Sequence, residues 1–145
     1  MKLVPLFTMT NRQTASLGSG PLVGGDTIAF VLGEGEIAGE RIRGTLQRAN
    51  LARHRADGVN IPDTHGVITT DDDAHIFFEL RGQAAPPAAG SAIRNVFAGM
   101  TFRTDSPAYS WLNAVYALAE AHYDTRGGSI EYHVFECAPD DQQPT

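Results

Sequence analysis

The segment Tyr109–Tyr123, with the sequence YSWLNAVYALAEAHY, constrains the fold more than any other part of the chain because it fits two different periods. Its Ala and Leu content favours a helix, and Trp111 and Val115 stand at helical spacing. Read with a period of two, the segment places Trp111, Asn113 and Val115 on one face of a long strand, followed on that face by three alanines. The first alternative gives a C-terminal helix, and the second closes a sheet around a pocket.

The residues that follow decide between these alternatives. Thr125–Gly128 has the composition of a hairpin loop, and the sequence IEYHVFE after it alternates in the manner of a strand. In the resulting register Ala119 lies opposite Val134 on one face. On the other face Glu120 lies opposite His133, which is a favourable polar pair. One register satisfies both faces and therefore predicts a strand whose tryptophan and asparagine face inward.

The rest of the sequence consists of short strand-forming runs separated by Gly, Pro and Asp turn signals, which is typical of an all-β protein. The other candidate strands are Leu3–Thr10, Thr27–Leu32, Glu34–Ala38, Arg41–Gln47, Gly58–Ile61, His65–Thr70, His75–Arg81, Met100–Thr104 and Ser129–Glu136. The Pro/Ala/Gly-rich segment Gly82–Gly99 is predicted to be a long loop over one mouth of the fold. We expect one β-barrel domain over residues 1–137 and a polar C-terminal tail over residues 138–145.

Composition restricts the partners of this chain. The formal net charge is −6 and the Lys and Arg residues are scattered, so we expect neither nucleic acid nor a membrane surface as a partner. No apolar run approaches the ~20 residues of a membrane-spanning helix. The N-terminal apolar run is interrupted by Pro5 and is too short for a signal peptide. Cys137 is the single cysteine, which suits a reducing compartment, and we expect a cytoplasmic protein.

Several sequence motifs resemble those of a known family. Phe-Arg-Thr at residues 102–104 precedes Tyr-x-Trp-Leu-Asn at 109–113 and a closing strand at 130–136, and GEGEIAGERIRGTL stands earlier, from residue 33. In this order the motifs resemble a group of small bacterial β-barrels catalogued as domain of unknown function number 3237. The resemblance covers roughly residues 3–136. It implies a single closed antiparallel β-barrel, similar in outline to the calycins, with no established common activity.

The chain departs from this family pattern at positions that bear on a site. Arg48, Ala49, Asn50 and Leu51 stand where the family usually has Gly-Gly-Ala-Asp-Trp, so Asn50 replaces a carboxylate that could act as an acid or base. The family's arginine in the next strand corresponds to His65. If the common site uses the absent Asp and Arg, this member has lost the chemistry or rebuilt it.

Three residues are the candidates for catalysis. His65 and Glu79 lie in neighbouring candidate strands, and a three-residue loop at Asp71–Asp73 would place them opposite each other, whereas a two-residue loop would offset them by one position. Facing inward, they would form an acid–base pair near neutral pH; facing outward, they would be ordinary solvated residues. Arg103 offers a forked cation to a substrate oxygen, with an ion pair to a nearby carboxylate as the alternative.

Four residues are predicted to bind a substrate. Asn113 would be a polar group among apolar interior positions, hydrogen-bonded either to a ligand or to a neighbouring strand or fixed water. Trp111 and Tyr132 would stack on a ligand, and Asn50 stands at the position of the family's Asp. The small alanines at positions 117, 119 and 121 leave space, so we expect them to border a cavity.

The sequence contains no recognisable cofactor or metal motif. The five histidines lack metal-ligand spacing, and no nucleotide-binding or serine-nucleophile motif occurs, so we expect neither a metal nor a cofactor. Two functions remain for a small hydrophobic or aromatic ligand: a cofactor-free isomerase, cyclase or hydro-lyase, and a non-catalytic carrier or sensor. A barrel packed solid that works through its surface is a third alternative. The sequence leaves a homodimer open.

Overall fold

The computed structural model describes residues 1–141, and Gln142–Thr145 lie outside the described residues. The strands are β1 (Lys2–Gly18), β2 (Thr27–Ala38), β3 (Arg43–His54), β4 (Asn60–Ile61), β5 (Asp63–Thr70), β6 (His75–Ala84), β7 (Ile93–Arg103), β8 (Tyr116–Asp124) and β9 (Ser129–Ala138). A 3₁₀-helix, Pro107–Ala114, separates β7 from β8. Within residues 1–141, no helix is long and apolar enough to cross a membrane.

The strands form one antiparallel sheet that closes on itself. Neighbouring strands follow the order β2, β1, β9, β8, β7, β6, β5, β3, and β3 pairs with β2 to complete the ring. The two-residue β4 bridges β3 and β6. Closure leaves the barrel without a free sheet edge. The predicted all-β fold, a single closed antiparallel barrel, is therefore confirmed.

The segment Tyr109–Tyr123 uses both of the conformations that its sequence allows. Its first part lies in the 3₁₀-helix, and the rest forms β8. β8 pairs with β9 in the predicted register, with Ala119 opposite Val134 and Glu120 opposite His133. The hairpin prediction is confirmed, whereas the predicted strand is wrong for the helical residues.

The side chain of Asn113 accounts for this change of conformation. Its Oδ1 accepts a hydrogen bond from the backbone N–H of Thr104 at 2.8 Å, and its Nδ2 donates to the carbonyl of the same residue at 3.0 Å. The amide thus satisfies the backbone just beyond the end of β7, where a strand would otherwise have to pair. Pro107 at the start of the helix has the φ angle that a helical first turn needs. Asn113 is exposed, so its predicted inward position is wrong.

The 3₁₀-helix closes one end of the barrel. Leu112 is fully buried in the core, and the ring of Trp111 packs against that core. The guanidinium of Arg41 lies over the Trp111 ring, 3.5 Å from its centroid. The Tyr109 hydroxyl donates a hydrogen bond to Asp72 at 2.7 Å, which ties the helix to the β5–β6 turn. Trp111 is therefore part of the closed end, and its predicted place on an interior strand is wrong.

Apolar side chains fill the half of the interior next to this closed end. They include Phe7, Met9, Ile37, Ile42, Leu46, Ile68, Ile76, Phe78, Met100, Phe102, Leu112 and Val134. The rings of Phe7 and Phe102 meet edge to face, with centroids 6.0 Å apart. Ala117 and Ala119 are buried here, and Met100 is the cross-strand neighbour of Ala117. Longer side chains thus fill the space beside these two alanines. None of Ala117, Ala119 and Ala121 lines the open part of the interior, so the prediction that they border an interior cavity is wrong, although Ala119 borders a groove on the outer surface.

The segment Gly82–Gly99 is mostly sheet. β6 continues to Ala84 and β7 begins at Ile93, so only residues 85–92 form the connection, and the predicted long loop is wrong. The turn signals Pro86, Pro87 and Gly90 all fall within this shorter connection. At the other end of the chain, β9 includes Ala138, the first residue of the predicted tail; the last four tail residues lie outside the described part.

Candidate functional site

The half of the barrel interior away from the 3₁₀-helix is not filled. A cavity of about 370 Å³ opens there, and we call it the lumen cavity. Its lining includes the polar residues Asn11, Arg48, Asn50, His54, Asn60, Arg94, Tyr123 and Tyr132 and the apolar residues Val31, Ala52, Val96 and Ile130. The barrel therefore has a packed apolar end and an open polar end.

β3 supplies the largest share of the polar lining. Alternate residues of a strand face the same side, so Leu46, Arg48, Asn50, Ala52 and His54 all point toward the interior. Leu46 belongs to the packed core, and the four later positions line the lumen cavity. The change from apolar to polar along this one face marks where the core ends and the cavity begins.

Arg48 is the deepest positive charge of the lumen cavity. Its Nε is buried and has no hydrogen-bond partner among the described residues. The guanidinium lies against Gly33, its cross-strand neighbour on β2: a Cβ added to that glycine would stand 3.0 Å from Nε and 3.2 Å from Cζ. Burial lowers the pKa of Arg48, but an arginine starts so far above neutrality that it stays charged.

Tyr132 lies on β9 with its side chain buried in the same cavity. Burial raises the pKa of its phenol to about 12, although the nearby Arg48 charge opposes the shift. The hydroxyl is therefore protonated at neutral pH and can donate a hydrogen bond. The side chain lines the lumen cavity, so this donor is placed to meet a ligand there.

Three asparagines add amide groups to the cavity wall. Asn50 Oδ1 accepts a hydrogen bond from the backbone N–H of Asp63 at 2.9 Å, which fixes that side chain against β5. The Oδ1 atoms of Asn11 and Asn60 are buried without a partner in the described part of the chain. An unsatisfied buried acceptor costs roughly 1–3 kcal/mol, so these oxygens indicate positions that a ligand or water would occupy.

The charge of the cavity lining is positive. Its charged groups are Arg48 and Arg94, and none of the lining residues within the described range is Asp or Glu. Arg94 Nη1 donates to the carbonyls of Gly58 at 3.1 Å and Ala85 at 3.4 Å, which holds together the loops at the open mouth. Burial, and to a lesser extent the Arg94 charge, lower the pKa of His54, which favours its neutral imidazole.

The structure brings the three predicted catalytic residues together, but on the outer surface. The Asp71–Asp73 turn gives the three-residue register, so His65 pairs with Glu79, and His65 Nδ1 lies 3.7 Å from Glu79 Oε1. Both side chains are about half exposed, and with Arg103 they line an outer groove of about 180 Å³. The inward alternative is wrong for this pair because the neighbouring residue Phe78 takes the interior position.

The four predicted substrate-binding residues divide between the two ends of the barrel. Asn50 and Tyr132 line the lumen cavity. Trp111 and Asn113 lie in and beside the closed end, with the contacts described above. Sequence reasoning missed Arg48 as a site residue. The sequence did contain a signal for it. Arg48 stands two residues after Leu46 and two before Asn50, so a strand here places all three side chains on the same face.

A larger groove, of about 680 Å³, lies on the outer surface of the barrel. Its lining includes the apolar side chains Leu3, Phe97, Leu118 and Phe135, and its charged residues are Arg81 and Glu120. Phe97 is 59% exposed, so this surface is apolar but open to solvent. None of its described lining residues has a buried polar atom without a hydrogen-bond partner, as Asn11, Arg48 and Asn60 have in the lumen cavity. Because buried polar groups are what orient a small ligand, we place the candidate site in the lumen cavity despite its smaller volume.

Solved structures of other proteins share this barrel. The chain is similar to a β-barrel-like protein from Acinetobacter baumannii AYE, with a TM-score of 0.81, 22% identity, and 93% of this chain and 94% of that chain covered. A protein of unknown function from Clostridium acetobutylicum ATCC 824 gives a TM-score of 0.81 and 19% identity, with 95% of this chain and 100% of that chain covered. Both likenesses concern the fold.

A third similar structure is described as an enzyme from Penicillium herquei, with a TM-score of 0.73, 26% identity, and 93% of this chain and 94% of that chain covered. A comparison with curated proteins gave no match. The family model described as "Protein of unknown function (DUF3237)" matches residues 1–137, which include the whole barrel except Ala138, the last residue of β9. The chain therefore belongs to the DUF3237 family of proteins of unknown function.

Proposed function

We propose that the lumen cavity binds a small, largely hydrophobic or aromatic molecule and that the protein acts on it as a cofactor-free enzyme, an isomerase, cyclase or hydro-lyase. The observation that carries this proposal is the set of buried polar atoms without partners, Arg48 Nε, Asn11 Oδ1 and Asn60 Oδ1, around one cavity. Such groups destabilise a fold unless a ligand or water binds to them, so their presence around one cavity supports the proposal that the cavity binds a ligand.

The size and lining of the cavity support a compact ligand. A volume of about 370 Å³ falls in the lower part of the roughly 300–1,000 Å³ range of small-molecule sites. Val31, Val96 and Ile130 offer apolar surface, and Tyr123 offers an aromatic ring. A ligand with a flat apolar body and one or more oxygens would satisfy both kinds of lining.

The polar groups suit reactions that need only the movement of a proton. Arg48 would stabilise negative charge that develops on a substrate oxygen, and its half-buried position would strengthen the interaction relative to one in bulk water. Tyr132 would donate a proton or hydrogen bond, and neutral His54 would accept a proton. Isomerisation, ring closure by addition and loss of water all fit this set. The 26% identity to a protein called an enzyme supports a catalytic role.

This proposal moves the proton-transfer roles expected for His65 and Glu79 to groups inside the barrel. The earlier pair faces solvent on the outer surface, where it would hold no substrate away from water. Asn50 and Tyr132 keep the binding role expected from the sequence. We also propose a cytoplasmic location, because the half-buried thiol of Cys137 suits a reducing compartment.

A non-catalytic carrier or sensor is the second candidate. It is favoured by the lack of a carboxylate among the described residues of the cavity lining, since a carboxylate is a common general base. Such a protein would use the same polar groups to orient its ligand and would release it unchanged.

The test begins with a cavity-filling variant and a matched control. Ala52→Phe places a ring in the lumen cavity, whereas Ala49→Phe places the same ring on the opposite face of the same strand. Wild type and both variants would be screened by ligand-observed NMR against small aromatic acids, phenols, enones and their neutral analogues. The proposal requires binding to wild type and Ala49→Phe and its loss in Ala52→Phe. Mass spectrometry after incubation then separates an enzyme, which converts a bound compound, from a carrier, which does not.

A further inference from the structure

We infer that the ligand of the lumen cavity carries an oxyanion, a carboxylate, phenolate or enolate, attached to a flat apolar body, and that Arg48 binds this oxyanion inside the barrel. The inference rests on the proposed function, which says that the cavity binds a small molecule, and it adds the class of that molecule. Three observations about charge and placement carry it.

The first observation is that Arg48 has no counter-ion. Other arginines, such as Arg12, Arg81 and Arg126, form ion pairs with carboxylates on the outer surface. Arg48 forms no ion pair among the described residues, although the protein has 17 acidic residues and a net charge of −6. Charges withdrawn from water in proteins are normally paired, so a half-buried guanidinium whose buried Nε has no partner indicates an anion supplied from outside.

The second observation is that the fold makes room for the guanidinium at this position. Gly33 is the cross-strand neighbour of Arg48, and a Cβ there would stand 2.8 Å from the backbone oxygen of Arg12 and 3.0 Å from Arg48 Nε, so the glycine accommodates both the β1 backbone and the guanidinium. The Nε–H remains without a partner. Arginine presents its N–H groups as a planar fork that matches the two oxygens of a carboxylate or the single oxygen of a phenolate or enolate.

The third observation is that the other charged groups of the cavity have different roles. Arg94 is held at the mouth by the carbonyls of Gly58 and Ala85. Tyr132 adds a hydroxyl donor near Arg48 and no negative charge of its own. The apolar side chains Val31 and Val96 then face the rest of the ligand, which excludes a bare inorganic anion as the preferred occupant.

The test compares carboxylates with their neutral amides. Benzoate, salicylate and 2-naphthoate would be titrated beside benzamide, salicylamide and 2-naphthamide by isothermal calorimetry at pH 7 and low ionic strength. The proteins are wild type, Arg48→Met, Arg48→Lys and the control Arg53→Met, which removes an exposed arginine from the outer face of the same strand. NMR shifts of cavity residues would locate the binding.

We expect at least one carboxylate to bind wild type and Arg53→Met about 10-fold or more tightly than its amide, the effect of one charge-assisted hydrogen bond. Arg48→Met should lose this preference and still bind the amide, and Arg48→Lys should retain only part of it. If a variant does not fold, the wild-type ratio and the other variant still decide the question.

Two results would overturn the inference in distinguishable ways. Amides that bind wild type as tightly as carboxylates, or a carboxylate preference that survives Arg48→Met, would remove the oxyanion assignment and leave the proposed binding function intact. If no member of either series binds to the cavity of wild type, the inference and the proposed function both fail.

Discussion

The guanidinium of Arg41 lies over the indole of Trp111, 3.5 Å from the ring centroid, and this contact fastens the 3₁₀-helix to the closed end of the barrel. The helix also contributes the fully buried Leu112 to the core. The pair therefore stabilises the fold, and it lies at the end of the barrel away from the lumen cavity. This separation leads to a direct test of which end of the molecule is functional.

Replacing Trp111 by Ala should destabilise the protein without affecting ligand binding. The change removes the cation–π contact and the packing of the indole against the core, for an expected loss of about 2–4 kcal/mol in the free energy of unfolding. Urea unfolding measures this loss, and Phe97→Ala, at an exposed aromatic ring, is the control. Loss of ligand affinity in a folded Trp111→Ala protein would contradict our placement of the site.

Replacing Arg48 by Met should stabilise the ligand-free protein. A half-buried cation without a counter-ion opposes folding, and methionine keeps most of the side-chain length without the charge. We expect a gain of about 1–2 kcal/mol in the free energy of unfolding, measured by urea unfolding without ligand. Arg53→Met, on the exposed face of β3, should change stability by less than about 0.5 kcal/mol. A clear loss of stability in Arg48→Met would mean that the guanidinium has a structural partner.

Tyr132 should make the stability of the protein fall between about pH 10 and pH 12. Burial raises the pKa of its phenol from 10 in the unfolded chain to about 12 in the folded protein, while Arg48 lowers it and Tyr123 raises it slightly. The folded state thus holds the proton more tightly. Its contribution is complete below about pH 10 and is lost as the pH rises through about 12, a change of about 2–3 kcal/mol.

Tyr132→Phe isolates this contribution because the variant lacks the ionising group. The difference between wild type and variant in the free energy of unfolding should be constant up to about pH 10 and should shift in favour of the variant above it. Tyr116→Phe, at an exposed tyrosine on the outer surface, is the matched control. An identical alkaline profile for wild type and Tyr132→Phe would show that the phenol is not buried.

Two alanine-to-leucine changes should have opposite effects. Ala119 is 2% exposed within the packed half of the barrel, so Ala119→Leu should overpack it and cost about 1–3 kcal/mol. Ala52 lines the lumen cavity, and Ala52→Leu should be accommodated with little loss of stability while reducing ligand binding. Thermal and urea unfolding check the comparison. Equal destabilisation by the two changes would argue that the two halves of the interior are packed alike.

The sequence predicted the β8–β9 hairpin because both faces of the pairing could be checked locally. The apolar pair Ala119–Val134 and the polar pair Glu120–His133 require the same register, and the structure has it. Asn113 could not be predicted in the same way. Its partner is the backbone of Thr104, which becomes available only after β7 has ended and the chain has turned. A side-chain contact with a distant backbone group produces no periodic pattern in the sequence, so the sequence does not reveal it.

The face of a strand was harder to predict than its register. The opposed pair His65 and Glu79 follows from the three-residue turn, but hydrophobicity does not tell which side of β6 is inside. Phe77 is 60% exposed and Phe78 is buried, although the two are adjacent and identical in type. An outer surface with exposed aromatic side chains removes the contrast between polar and apolar faces on which such predictions depend.

The division of the barrel into a packed end and an open end has a consequence for how such proteins diversify. Residues such as Phe7, Ile68 and Phe102 hold the fold at one end, so substitutions around the opposite mouth are expected to change ligand chemistry while most of the folding energy is preserved. If the lumen cavity binds ligands as proposed, substitutions at a few wall positions would be enough to change which molecule is bound. Arg48, Asn50 and His54 are the places where we expect relatives with different ligands to differ first.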